Sequence, residues 1–370
     1  MTSSDKNAER GRKVFGVFRS AHPRTKKQKI RKAIMIAIFV TINVAVIVAT
    51  AVAEFGNSGE AAELAEVQLN WWLLIPAAVI FVAAMWLDIY KYVLLLKRTV
   101  GKGKFERGEE WRLARRTVIF GKYYDNITPA AVGGQPFQIY YMHKNGRVPS
   151  GLATTIPIIG MITGQIGFLI LALVCFLVGG MRGNILLGVT AWIGLAVYAF
   201  WPVMVLISML LPKTMTRIIN FVVNMLARVK IVKNPVEAKQ RIEYEVREYA
   251  KSVKAILKNK GLFGEAVLLM VLYYILMMSI PFFVLTAFGG DVGYFETLST
   301  TVAVTAAVYF VPTPGNSGAA EGTFFAVFSS LSTGYVFWAM LVWRFFSYYI
   351  YIIMGPVTYF LMNLEKRKKV

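Results

Sequence analysis

From Leu152 to Val178 the chain carries no charged residue. At about 1.5 Å of rise per residue, a helix of that length crosses the ~30 Å hydrocarbon core of a bilayer. Comparable apolar runs recur at about 33–53, 71–96, 185–211, 265–288 and 335–362. Helices this long and apolar do not suit a soluble domain, whose surface helices keep a polar face. A membrane β-barrel would show alternating segments of about 10 residues, and none is visible. The chain therefore reads as an all-α polytopic membrane protein with about six full spans, and with 56% hydrophobic residues it fits no soluble class.

Charge then orients the spans. Residues 1–32 hold 11 Lys/Arg against Asp5 and Glu9, and residues 213–262 hold 12 against Glu237, Glu243, Glu245 and Glu248. The stretch between Lys97 and Lys122 is also basic, whereas residues 54–70 carry Glu54, Glu60, Glu63 and Glu66 and no basic residue. The positive-inside rule puts the basic stretches in the cytoplasm and 54–70 outside. Domain boundaries follow: a basic cytoplasmic segment 1–32, a membrane domain 33–363, and a basic tail 364–370. No small-residue cleavage site follows the first apolar run, so residues 1–32 do not read as a signal peptide. Within 213–262, Ile242, Val246, Tyr249, Val253 and Ile256 share one helical face, giving an amphipathic segment at the inner leaflet. The net charge of +21 flanks membrane spans, so its expected partner is anionic lipid rather than nucleic acid. One cysteine, Cys175, and two histidines, His22 and His143, leave no disulfide framework and no metal centre, and no cofactor motif appears.

Two short stretches do not fit the apolar pattern. Thr128-Pro129 is followed by Gly133, Gly134, Gln135 and Pro136, and Thr313-Pro314 by Gly315, Asn316, Gly318 and Glu321. In each, a Gly stands four positions after the Pro, and the two copies lie 313 − 128 = 185 residues apart. Pro removes a backbone donor and Gly admits unusual dihedrals, so both stretches break helices. Paired interruptions in two halves of a membrane protein point to a transport site. Three spans separate the copies, which predicts two re-entrant helical hairpins entering from opposite faces, an inverted repeat.

The residues expected to act lie in or near these breaks. Broken helix ends present N–H groups to anions such as a lipid phosphate. Asp125 and Glu321 are ionisable groups expected at membrane depth, where charge is costly and tends to be functional. Arg344, inside the last span, suits phosphate through its fork of donors, or pairs with Glu321; both readings stand. Asp88 and Lys91, three apart, read as a local ion pair, and Gln165 as an interhelical or cavity-facing group. His143 and Lys144 read as interfacial residues reaching water. No nucleophile–base pair, metal cluster or nucleotide loop supports an enzyme.

The two motifs, Tyr124 to Pro129 with Gly133 to Phe137, and Pro312 to Gly315 with Gly318 to Gly322, resemble those of the lysylphosphatidylglycerol synthase transmembrane-region family. This is the flippase-like membrane domain of multiple peptide resistance factor proteins. The resemblance spans about residues 30–363. It implies translocation of an aminoacylated phospholipid, such as lysyl-phosphatidylglycerol, to the outer leaflet of a bacterial cell membrane, and hence resistance to antimicrobial peptides. It also implies a lipid path lined or shaped by Asp125, Thr128, Pro129, Gly133, Gly134, Gln135, Pro136, Gly315, Gly318 and Glu321, to which the residue reading adds Pro314, Asn316 and Arg344. No synthase domain follows by Val370, so a separate lipid-modifying synthase and further copies of the chain are the protein partners it admits. An integral membrane transferase acting on headgroups and a secondary carrier for a small solute are the alternatives.

Overall fold

The computed structural model describes residues 69–101, 105–131, 133–145, 148–179, 185–210, 253–332 and 335–367. The expected first span at 33–53, the loop 54–68 and most of the amphipathic segment lie outside these residues. The described chain is helical, and five of its helices are long and apolar enough to cross a membrane: Trp71–Val100, Gly151–Val178, Leu186–Met204, Lys260–Ala287 and Val336–Glu365. This is a multi-pass membrane protein.

Helix α1 (Leu74–Val100) follows a short 3₁₀ turn at Trp71–Leu73, where Trp71 and Trp72 stack with ring centroids 3.8 Å apart. Then come α2 (Glu109–Ile127) and α3 (Gly134–Asn145), joined by the first Thr-Pro break, and α4 (Ser150–Gly179) and α5 (Ile185–Leu210). Helix α6 (Lys260–Ala287) starts at Asn259, whose side-chain oxygen accepts from the Leu262 N–H at 3.1 Å, an N-cap that fixes where the helix begins. The span therefore opens five residues before the expected Glu265. Helices α7 (Tyr294–Val308) and α8 (Ala319–Phe328) flank the second break. Helix α9 (Val336–Arg344) passes through a π turn at Phe345–Tyr349 into α10 (Ile350–Arg367), so the last expected span is continuous but locally widened by one extra residue.

Helix α6 is the centre of the packing, touching α1, α4, α7 and α9. Leu262, Ala266, Met270, Tyr273, Met277, Ile280 and Val284 are its buried positions, at helical spacing. The outward apolar residues are instead exposed, among them Val82, Trp86, Leu177, Leu186 and Trp192. Such a belt is unfavourable in water but matches hydrocarbon.

Helices α1 and α6 run antiparallel: Asn70 bonds to the carbonyl of Ala287 at one end, and Arg98 pairs with Glu265 at 3.0 Å at the other. The two hairpins are rooted at opposite ends of this pair. Helix α2 starts beside the α1 C-terminus, where Lys97 meets Glu110 at 3.3 Å. Helix α7 starts just past the α6 C-terminus, and the return from α8 is pinned there by Tyr335 N–H to Phe288 O at 3.1 Å. The broken tips of the two hairpins pack against each other.

Candidate functional site

Helix α2 ends because the residue before a proline is driven out of the α region: Thr128 is extended, at φ −112° and ψ 141°. The tip is then rebuilt from side chains. The Thr128 hydroxyl donates to Tyr124 O at 2.7 Å and accepts from the Gly133 N–H at 2.9 Å. Oδ1 of Asp125 accepts from the Gly134 N–H at 2.9 Å, placing a carboxylate on the positive end of α3. A Cβ at Gly134 would stand 2.3 Å from that same oxygen, so the close approach requires glycine. Gln135 is half-buried in the first turn of α3, and Pro129 and Pro136 are exposed on the tip.

The second tip uses different chemistry. Gly315 and Asn316 both lie in the left-handed region, at φ 59° and 55°, as expected for residues that tolerate it. Pro314 opens this turn, and the Asn316 amide donates to Val308 O, satisfying a carbonyl at the end of α7. At the start of α8, Glu321 Oε2 accepts from the Gly318 N–H at 2.7 Å. Its other oxygen accepts from Arg344 Nε at 2.7 Å, and Nη2 of Arg344 donates to Gly315 O at 3.2 Å and to Ser317 Oγ at 3.1 Å. Glu321 and Arg344 are 1% and 4% exposed. Of the two readings of Arg344, the structure shows the ion pair. Its guanidinium joins α9 to the second tip and lies 4.7 Å from the Tyr348 ring. The two carboxylates, Asp125 and Glu321, each serve their own tip.

Beside the first tip lies a charged cluster that the motifs did not reveal. Asp88 and Lys91 form the expected i,i+3 pair at 2.8 Å, with side chains 7% and 4% exposed. Lys91 also donates to Gly160 O at 3.2 Å, tying α1 to α4. Lys122, one turn before Asp125, comes within 3.8 Å of Asp88 Oδ2 and donates to the Tyr273 hydroxyl at 3.1 Å. Tyr92 donates to Gln138 Oε1 at 3.2 Å, and Gln138 donates to Thr117 O at 3.3 Å, holding α3 against α2. Asp88 is nine residues from Lys97, or about 14 Å along the helix. Among sequence signals, the i,i+3 spacing of Asp88 and Lys91 marked one pair of this cluster, and nothing marked Lys122. Gln165 is buried with its Oε1 unpaired. Of the interfacial pair, Lys144 is exposed and reaches Tyr140 OH at 2.9 Å, whereas His143 is half-buried against Thr154, and burial lowers its imidazole pKa.

A family profile described as Lysylphosphatidylglycerol synthase TM region matches residues 33–355 of the 370. The chain belongs to this family. The lysylphosphatidylglycerol synthase TM region is a membrane domain linked to lysylphosphatidylglycerol synthesis, and the match takes in both broken tips, Arg344 and the charged cluster. No curated protein and no solved structure gave a match.

Proposed function

We propose that this protein is a lipid translocase that carries an aminoacylated phospholipid, such as lysyl-phosphatidylglycerol, from the inner to the outer leaflet of the plasma membrane. In this reading both hairpins re-enter the bilayer, one from each face, and both termini are cytoplasmic. The region 33–355 makes no covalent bond; it gives the headgroup a polar route while the acyl tails stay in lipid. The observation that supports it best is the meeting of two broken hairpins rooted at opposite ends of α1 and α6, with Asp125 beside the junction. Irregular backbone at membrane depth is tolerated where it is buried in protein or lines a cavity. Packed tips with a carboxylate beside them match that requirement and suit a cationic headgroup amine. Arg344 holds the second tip in shape.

The test is a leaflet-resolved assay in liposomes containing the purified full chain, with labelled lysyl-phosphatidylglycerol and labelled phosphatidylglycerol. Protein-dependent transfer of the aminoacyl lipid between leaflets is the expected result. Transfer no faster than in empty liposomes would reject the reading.

A further inference from the structure

We infer that Lys122 is the phosphodiester-binding group of this protein, with Tyr273 and Tyr351 beside it. The inference deepens the translocase reading and rests on it for the identity of the lipid.

Two ammonium groups, Lys91 and Lys122, face one carboxylate, Asp88, at 2.8 Å and 3.8 Å. Lys91 is fully enclosed, and its remaining donors go to Gly160 O and to the sulfur of Met270. The carboxylate of Asp125 lies one turn from Lys122 and accepts from the N–H at the head of α3. Lys122 therefore has one carboxylate at the long edge of ion-pair distance and another one turn along its own helix, and its ammonium donates to the Tyr273 hydroxyl. Among the described residues no other hydrogen bond takes the donors of its ammonium, and these suit an anion.

Access and geometry agree. The side chain of Lys122 is 31% exposed, whereas those of Asp88 and Lys91 are nearly closed off. The Tyr273 hydroxyl fixes one donor direction of the ammonium at 3.1 Å, and the ring lies 5.0 Å below it. Tyr351, 2% exposed, places its hydroxyl by Tyr273 and Lys122 without a hydrogen bond of ordinary geometry. A partly exposed ammonium held by a phenol suits an anionic oxygen of a phosphodiester. Arg344 is poorly placed for that role, since its donors already bind Glu321, Gly315 and Ser317.

The test measures binding of dioctanoyl-phosphatidylglycerol to the purified full chain in detergent, for the wild type and for Lys122→Gln and Lys122→Arg. Lys122→Gln is expected to weaken binding tenfold or more and Lys122→Arg by less than threefold. Equal affinity in Lys122→Gln would overturn the inference. Inorganic phosphate at the same concentration should leave the lipid bound; displacement would overturn the assignment to a lipid phosphodiester. If Lys122→Gln does not survive extraction, the wild type decides through a phosphatidylglycerol bearing a photoreactive group beside its phosphate. Crosslinks within residues 118–126 support the site, and crosslinks only elsewhere overturn it. The outcomes separate cleanly from the leaflet assay: binding that depends on Lys122 without translocation rejects the transport reading alone. Translocation with Lys122-independent binding rejects this inference alone.

Discussion

Removing Arg344 isolates the interaction that shapes the second tip. In Arg344→Met the Glu321 carboxylate, 1% exposed, keeps a single N–H donor from Gly318. Gly315 O and Ser317 Oγ lose their shared donor as well. Breaking one side of a buried ion pair costs about 3–5 kcal/mol, because an uncompensated charge stays behind. Glu321→Met strands the guanidinium and should cost a similar amount. The double variant leaves no buried charge; it loses the Gly318 cap, at about 1 kcal/mol, and the donor to Gly315 O and Ser317 Oγ that Arg344→Met also loses. The cycle should thus show at least about 3 kcal/mol of coupling. Equilibrium unfolding from mixed micelles by titration with sodium dodecyl sulfate measures all four proteins. Additivity within about 0.5 kcal/mol would refute the argument. So would a double variant less stable than either single one.

Other expectations follow from the same geometry. Gly315→Ala combines a left-handed φ with a Cβ 2.1 Å from the Tyr348 ring, so a loss of about 2–4 kcal/mol should appear in the same unfolding assay. Gly134→Ala should unfold more readily by about 1–3 kcal/mol, and Asp125→Ala in the same chain should recover part of that by clearing the 2.3 Å contact. Arg116 and Glu365 meet at 2.6 Å, but Glu365 is half exposed, so Arg116→Gln should change stability by under about 1 kcal/mol, with the difference vanishing at high salt. Asp88→Asn leaves Lys91 enclosed without its carboxylate and should cost about 3 kcal/mol; a thermal midpoint equal to wild type would contradict the charge balance drawn for the cluster.

The amino-acid order alone determined the class of the protein, because uninterrupted apolar runs have few other destinations. It also located both breaks, since Pro and Gly act on the backbone within two residues of where they stand. The local pair of Asp88 and Lys91 was readable for the same reason: the two partners lie within one turn. Which of its two readings Arg344 takes was not decided by the order of residues, because 23 positions separate it from Glu321. Lys122 looked like one more cation of a basic segment. Only the packing of α2 against α1 and α6 carries it to Asp88, 34 positions earlier, and to Tyr273, 151 later. Local dihedral chemistry was written in the chain, whereas charge pairing between helices depended on which faces the fold pressed together.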